Sequence, residues 1–141
     1  KSAAYAARYL TNMSLRQPAA AMYLFSREMR RLGAYAMQML SAVGKTAGGK
    51  NAEDSLKIYE ETHTAVKSLE NEMEGYVTKM FASGNLTEVQ AEQTAGLLFA
   101  ANNIERLADR CEEIVQTQKK IQEMGNLYQK VQKESCGAAS S

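Results

Sequence analysis

The sequence has little of what strand-rich or disulfide-stapled folds need. It contains one proline, no tryptophan and few β-branched residues, and its two cysteines form no Cys-x-x-Cys pair. A composition rich in alanine and methionine with almost no proline favours helices over strands. Two isolated cysteines give no disulfide framework, which favours a reducing compartment. The 141 residues are enough for one domain with its own core.

Long apolar runs are also missing. No stretch approaches the roughly 18 apolar residues that a membrane-spanning helix needs, and no charged-then-apolar leader precedes a cleavage site. We therefore expect the chain as given to be soluble. It begins at Lys1 rather than at a methionine, which indicates that it was cut from a longer protein.

Histidine is represented by His63 alone, and this excludes most catalytic arrangements. No Ser-His-Asp or Cys-His site can be built, because Cys111 lies in the apolar pattern of a helix. Glu60 and His63 form one Glu-x-x-His step of the type used in di-iron bundles, which need two copies. A partly exposed surface histidine is the simpler interpretation. The tripeptide Gly44-Lys45-Thr46 lacks the preceding glycine of a phosphate-binding loop, so no catalytic residue is predicted.

Apolar residues recur at spacings of three and four in three long segments, as in amphipathic helices. The first segment follows Pro18 and ends in the glycine-rich residues 44–50. The second begins after the predicted N-cap Asn51 and ends near Ser83. The third follows Gly84, opens with a capping box at 87–90 and continues to about Val131. The stripes are Met22, Phe25, Met29, Leu32, Ala36, Met39 and Val43; Tyr59, Thr62, Val66, Leu69, Met73, Tyr76 and Met80; and Leu97, Ala101, Ile104, Leu107, Cys111, Ile114, Ile121 and Tyr128.

Three such stripes can be buried by packing against one another. The sequence therefore predicts an all-α fold, an antiparallel up-down-up three-helix bundle. Residues 1–17 are predicted to be a lead-in or linker, residues 18–134 the bundle, and residues 135–141 a disordered tail. The alanine content around Ala3 to Leu10 favours a further short helix before the bundle.

Basic charge is concentrated near the start of the chain. Residues 1–50 contain eight Lys and Arg residues against the single acid Glu28, whereas residues 51–141 contain nine against fifteen acids. Aromatic residues are not interleaved with the basic ones, and the acidic second half would repel phosphate groups. No nucleic-acid partner is therefore predicted.

One strip of the third segment contains four oxygen-bearing side chains. Glu105, Asp109 and Glu112 are spaced at i, i+4 and i+7, and Asn102 precedes them by one turn. The strip is either a solvent-exposed face, in which neighbouring arginines reduce the repulsion between the acids, or part of a site for a divalent or transition metal ion. In such a site, carboxylates of neighbouring helices converge on the cation. The residues alone leave both interpretations open.

The segment Asn102 to Ile114 resembles the third-helix signature of PhoU-like domains, approximately Asn-Asp-Leu-Glu-Arg-Ile-Gly-Asp-His-x-x-Asn-Ile. The matching residues are Asn102, Ile104, Glu105, Arg106, Leu107, Asp109 and Ile114. Because the Glu-x-x-x-Asp core is the family's metal-binding motif, the resemblance implies metal binding by Glu105 and Asp109, supported by Asn102. The chain departs from the signature at Ala108, Arg110 and Glu113, which replace glycine, histidine and asparagine.

The resemblance extends beyond this signature. Asn85 to Ala91 looks like the family's turn before helix three. Tyr9-Leu10 with Pro18 to Met22 resembles the lead-in found where such a domain follows the membrane part of bacterial sodium/phosphate cotransporters. In helix two the family often has an acid facing the signature, where this chain has His63 and Lys67.

The resemblance implies a non-catalytic regulatory or assembly domain of a sodium-dependent phosphate transporter, at the cytoplasmic face of the membrane. Its partner would be the transmembrane transport domain of the same polypeptide, and the early basic residues agree with a cytoplasmic position. The alternative is a free-standing, metal-binding PhoU-like regulator of phosphate uptake. Such regulators typically contain two tandem three-helix repeats, and this chain has room for one. A single repeat leaves a face uncovered, which predicts a homo-oligomer, in the simplest case a dimer.

Overall fold

The chain folds into three long helices. The computed structural model describes residue 7, residues 16–48 and residues 51–140. The helices are α1 (Pro18–Lys45), α2 (Ala52–Ala82) and α3 (Glu88–Ser140), each packed on the other two. The described residues contain no β-strand, and the predicted all-α three-helix bundle is confirmed. The short helix expected around Ala3 to Leu10 lies outside the described residues except for Ala7, which is not helical.

Local sequence signals explain most of the helix ends. Pro18 occupies the first turn of α1, where its missing N–H would have no helical partner. Helix α1 ends at Lys45, at the start of the predicted glycine-rich break. Asn51 stands at the N-cap position of α2 as predicted, but its side chain makes no capping hydrogen bond. Two acids in the first turn, Glu53 and Asp54, instead complement the positive end of the helix dipole.

The turn between α2 and α3 follows the sequence prediction closely. Gly84 has a φ of +69°, a left-handed conformation that side chains other than glycine adopt with strain. The Gln90 N–H donates to Thr87 Oγ1 at 3.1 Å, and the Thr87 N–H donates to Gln90 Oε1 at 3.0 Å. These reciprocal bonds form the predicted capping box and fix the start of α3.

The core confirms the predicted stripe of α2 in full and five of the seven residues predicted for α1. All seven predicted α2 residues are buried. In α1, Met22 and Met29 are only partly buried, and Glu28 takes a fully buried position on the core face. The Arg31 guanidinium donates to both Glu28 carboxylate oxygens, at 2.9 and 3.2 Å. A buried carboxylate requires such a partner, because desolvation of an unpaired charge is costly.

In the first half of α3, Ala101 and Cys111 are buried as predicted, and the other stripe residues there are partly buried against the core; the predicted stripe fails in the second half. The last buried α3 residue is Val115, whereas Ile114, Ile121 and Tyr128 are 48%, 64% and 68% exposed. The reason is length: α3 has 53 residues against 28 and 31 in α1 and α2. At about 1.5 Å per residue, α3 extends roughly 30 Å beyond its neighbours. A hydrogen bond from Thr46 to Gln118 lies near the end of the bundle.

The predicted disordered tail also differs from the structure. Over residues 135–140 the chain continues as helix rather than losing regular structure. No proline interrupts these residues, and Gly137 weakens the helix without ending it. The boundaries 1–17, 18–134 and 135–141 as functional divisions stay a prediction.

Candidate charged site between α2 and α3

Lys67 joins the two candidate metal ligands of the sequence analysis. Its Nζ donates to Glu105 Oε1 at 2.9 Å and to Asp109 Oδ1 at 3.0 Å. Because α2 and α3 are antiparallel, one residue of α2 faces the i and i+4 positions of α3 at the same height. The hydrogen bond from Lys67 lowers the pKa of Glu105 and, in return, the two carboxylates raise the pKa of Lys67. An ammonium therefore neutralises the repulsion between Glu105 and Asp109.

A second acidic group adjoins this ion pair. Glu70, Glu74 and Glu105 each have a carboxylate oxygen within 4.8 Å of the others. Glu70 is only 2% exposed, and its Oε1 is buried with no hydrogen-bond partner. Two causes raise the pKa of Glu70 to about 7: burial, which is the larger, and a hydrogen bond with the adjacent Glu105. Of the two adjacent acids, Glu70 therefore holds a proton more readily, and Glu105 is stabilised as the anion.

An open groove of about 530 Å3 lies at the α2–α3 contact. Its charged lining is Lys67, Glu70, Glu74 and Glu105, and His63 also lines it. The His63 ring packs on Tyr59 with centroids 5.4 Å apart, and its Nε2 is buried with no hydrogen-bond partner. His63 is half-buried, in agreement with the partly exposed histidine predicted from the sequence. The groove offers carboxylates, one ammonium and one imidazole.

Glu112, the third acid of the predicted strip, belongs to a separate set of contacts. The Tyr59 hydroxyl donates to Glu112 Oε2, and the Gln116 amide donates to Glu112 Oε1 at 2.8 Å. The Tyr59 hydrogen bond is the main cause that lowers the pKa of Glu112, and burial raises the pKa of Tyr59 above its usual value. Glu112 is therefore a structural acceptor that ties α3 to α2, one turn beyond Asp109.

Asn102, the first residue of the strip, and the neighbouring pair Arg110 and Glu113 do not line the groove. Asn102 is half-buried, and no hydrogen bond joins it to Glu105 or Asp109. Arg110 donates to Glu113 at 3.1 Å on the exposed side of α3. The structure thus brings together Glu105 and Asp109 but adds nothing from Asn102. Its supporting role stays a prediction.

A cation at the Glu105–Asp109 pair would have to displace Lys67. The ammonium already lies within hydrogen-bond distance of both carboxylates, so the pair by itself does not fit a metal ion. The set that fits better is Glu70, Glu74 and Glu105, since hard cations take carboxylate oxygens and Glu70 Oε1 lacks a partner. Metal binding by Glu105 and Asp109 stays a prediction.

Sequence reasoning placed Lys67 opposite the α3 signature correctly but missed Glu70. Both residues lie next to the α2 stripe, and the spacing of Lys67, Glu70 and Glu74 at three and four residues was the available signal. The buried Glu28 was also missed, although it falls three residues after Phe25 and four before Leu32, on the core face of α1.

The bundle and its charged α2–α3 contact define a helical domain built from one three-helix unit. A family model described as the PhoU domain matches residues 29–117, which comprise most of α1, all of α2 and the first part of α3. The chain therefore belongs to the PhoU family, a regulatory and non-enzymatic family associated with phosphate transport. No curated protein and no solved structure matches the chain. None of the described helices is long and apolar enough to span a lipid bilayer.

Proposed function

We propose that the chain is a cytoplasmic regulatory domain of a sodium-dependent phosphate transporter, joined to the transmembrane transport domain of the same polypeptide. The observation that carries the proposal is the charge of α1. Arg27, Arg30 and Lys45 are exposed, whereas its only acid, Glu28, is buried and bonded to Arg31. All the exposed charge of α1 is therefore positive. Basic residues close to a membrane segment favour the cytoplasmic side and attract anionic lipid headgroups.

A further feature supports this proposal. The start of α1 at Pro18 coincides with the lead-in that resembles the junction to the membrane part. The domain has no catalytic role in this proposal.

Membrane attachment is tested on the native gene product rather than on the isolated domain. An antibody raised against residues 18–134 should detect a protein much larger than this chain, in the membrane fraction, after a wash at high pH that strips peripheral proteins. The proposal fails if the antibody detects a protein of about this size in the soluble fraction alone.

A free-standing, metal-binding regulator is the second candidate, and the Glu70–Glu74–Glu105 group favours it. The buried Glu70 Oε1 without a partner is the feature that a bound cation would explain. Metal analysis of the purified protein tests this candidate, together with melting curves recorded with and without a chelator. Near-stoichiometric metal that is lost in a Glu74→Gln variant, together with the stability that metal adds to the wild type, supports it. A melting temperature that changes with neither added metal nor chelator rules out this second candidate.

A further inference from the structure

The second half of α3 presents an apolar face that no other part of the described structure covers. Every residue from 120 to 137 is exposed, and we call this stretch the projecting segment. In proteins most of the stability of a helix comes from packing of its apolar face rather than from intrinsic propensity. An apolar face along such a helix therefore requires an explanation.

Four apolar residues of the projecting segment recur in a heptad pattern. Ile121, Met124, Tyr128 and Val131 follow one another at spacings of three, four and three residues. They are 64%, 70%, 68% and 55% exposed, and Leu127, 63% exposed, lies beside them. A repeat of seven residues with apolar first and fourth positions is the pattern by which one helix packs along another.

The charges beside this apolar seam are self-complementary in one orientation only. Lys120 and Glu134 lie on the Leu127 side of the seam, each seven residues from Leu127. When two copies pair antiparallel about Leu127, Lys120 of each copy approaches Glu134 of the other, which gives two ion pairs. A parallel pair instead places Lys120 near the neutral Gly125. Within the described structure, neither Lys120 nor Glu134 forms a salt bridge.

We propose that the projecting segment is a dimerisation surface that pairs antiparallel with the same segment of a second copy of this chain. The five apolar side chains each expose on the order of 100 Å2, so the pair would bury roughly 1,000 Å2 in total, where specific interfaces begin. The contact is isologous, because the same surface serves both copies. This inference does not depend on attachment to a transporter.

The apolar seam is tested first, by sedimentation of the full chain across the micromolar range. We expect a dimer for the wild type and a monomer for Met124→Glu/Tyr128→Glu. The wild type and this double variant should have equal melting temperatures at low concentration, because Met124 and Tyr128 are exposed and outside the core. Phe99→Glu is the matched control, since Phe99 is 64% exposed on α3 outside the segment and should leave dimerisation unchanged. A monomeric wild type, or a double variant that still dimerises, overturns the proposal.

A charge exchange tests the orientation. Lys120→Glu turns both ion pairs into repulsions, and we expect the dissociation constant to rise about tenfold, which corresponds to about 1.4 kcal/mol. Glu134→Lys should weaken the dimer similarly, and the double exchange should restore it. If the double exchange is as weak as the single ones, the antiparallel pairing is wrong.

The exposed thiol of Cys136 supplies an independent check. In the antiparallel pair the two Cys136 residues lie near opposite ends, about 30 Å apart at 1.5 Å per residue. A parallel pair would bring them side by side. A short thiol-reactive crosslinker should therefore leave the wild-type dimer unlinked and should link a Lys120→Cys/Glu134→Cys variant made in a Cys136→Ser background. Efficient linkage through Cys136 contradicts the proposal.

Discussion

Replacing Lys67 with methionine removes the ammonium that joins α2 to α3 and keeps most of its aliphatic stem. The side chains of Lys67, Glu105 and Asp109 are 37%, 34% and 59% exposed. Ion pairs at such exposure contribute about 0.2–1 kcal/mol each. The repulsion left between Glu105 and Asp109 adds a few tenths of a kcal/mol. We therefore expect Lys67→Met to lower the free energy of unfolding by about 1–1.5 kcal/mol at neutral pH.

The pH dependence of this loss follows from the pKa of Glu105. The Lys67 hydrogen bond lowers that pKa in the folded state. The stabilisation is therefore fully present above the unfolded pKa, about 4.3, and is lost as the pH falls through the folded value. The difference between wild type and Lys67→Met should shrink below about pH 4. Urea unfolding followed by circular dichroism at several pH values measures it.

The same variant tests whether Lys67 stands where a cation could bind. With the ammonium removed, a divalent metal ion can approach Glu105 and Asp109, so added metal should raise the melting temperature of Lys67→Met more than that of the wild type. The matched control is Lys67→Met/Glu105→Gln/Asp109→Asn, which should recover only the few tenths of a kcal/mol that the repulsion costs, and whose melting temperature should not change with metal. A Lys67→Met protein as stable as the wild type at neutral pH refutes the reasoning.

Three further predictions follow from the buried carboxyls and the turn. Glu70→Gln should stabilise the protein by about 2 kcal/mol at pH 8 and have little effect at pH 4, because a carboxyl whose folded pKa is raised loses stability as the pH rises above its unfolded pKa. Unfolding curves at the two pH values check this, and an equal effect at both contradicts it. Arg31→Met should lower the free energy of unfolding by about 2–3 kcal/mol, since it removes a hydrogen-bonded partner from the buried Glu28; a loss below about 0.5 kcal/mol in urea unfolding argues against the buried pair. Gly84→Ala should cost about 1 kcal/mol because of its positive φ, whereas Gly96→Ala, inside α3 with open space at Cβ, should stabilise by a similar amount. Thermal melts of the two glycine variants should therefore shift in opposite directions, and shifts of the same sign refute this account of the turn.

Local patterns in the sequence were sufficient to predict those features whose geometry is set by residues close together in the chain. The α2–α3 turn was predictable because Gly84 and the Thr87–Gln90 capping box act within one turn of the chain. The α2 stripe was predictable because α2 lies against both other helices along its length.

Features that depend on tertiary contacts were not predictable in the same way. Periodicity alone placed Ile121 and Tyr128 in the core, whereas the core ends where α1 and α2 end, and their length relative to α3 decides this. Glu28 lies on the core face of α1 because Arg31 can reach it there, an exception to the rule that charged residues stay exposed. The sequence placed Lys67 opposite the segment that contains Glu105 and Asp109, but the buried Glu70 beside them depends on how α2 packs against α3.

The proposed function of this PhoU-family domain, regulation of a sodium-driven phosphate transporter to which it would be covalently joined, is tested most directly by phosphate uptake. Uptake is measured with and without a sodium gradient in cells whose native gene lacks the codons for residues 18–134 in frame. Sodium-dependent uptake should persist in the deletion strain but should no longer change with phosphate supply. Uptake that is independent of sodium in both strains, or that responds to phosphate supply equally in both, would contradict it.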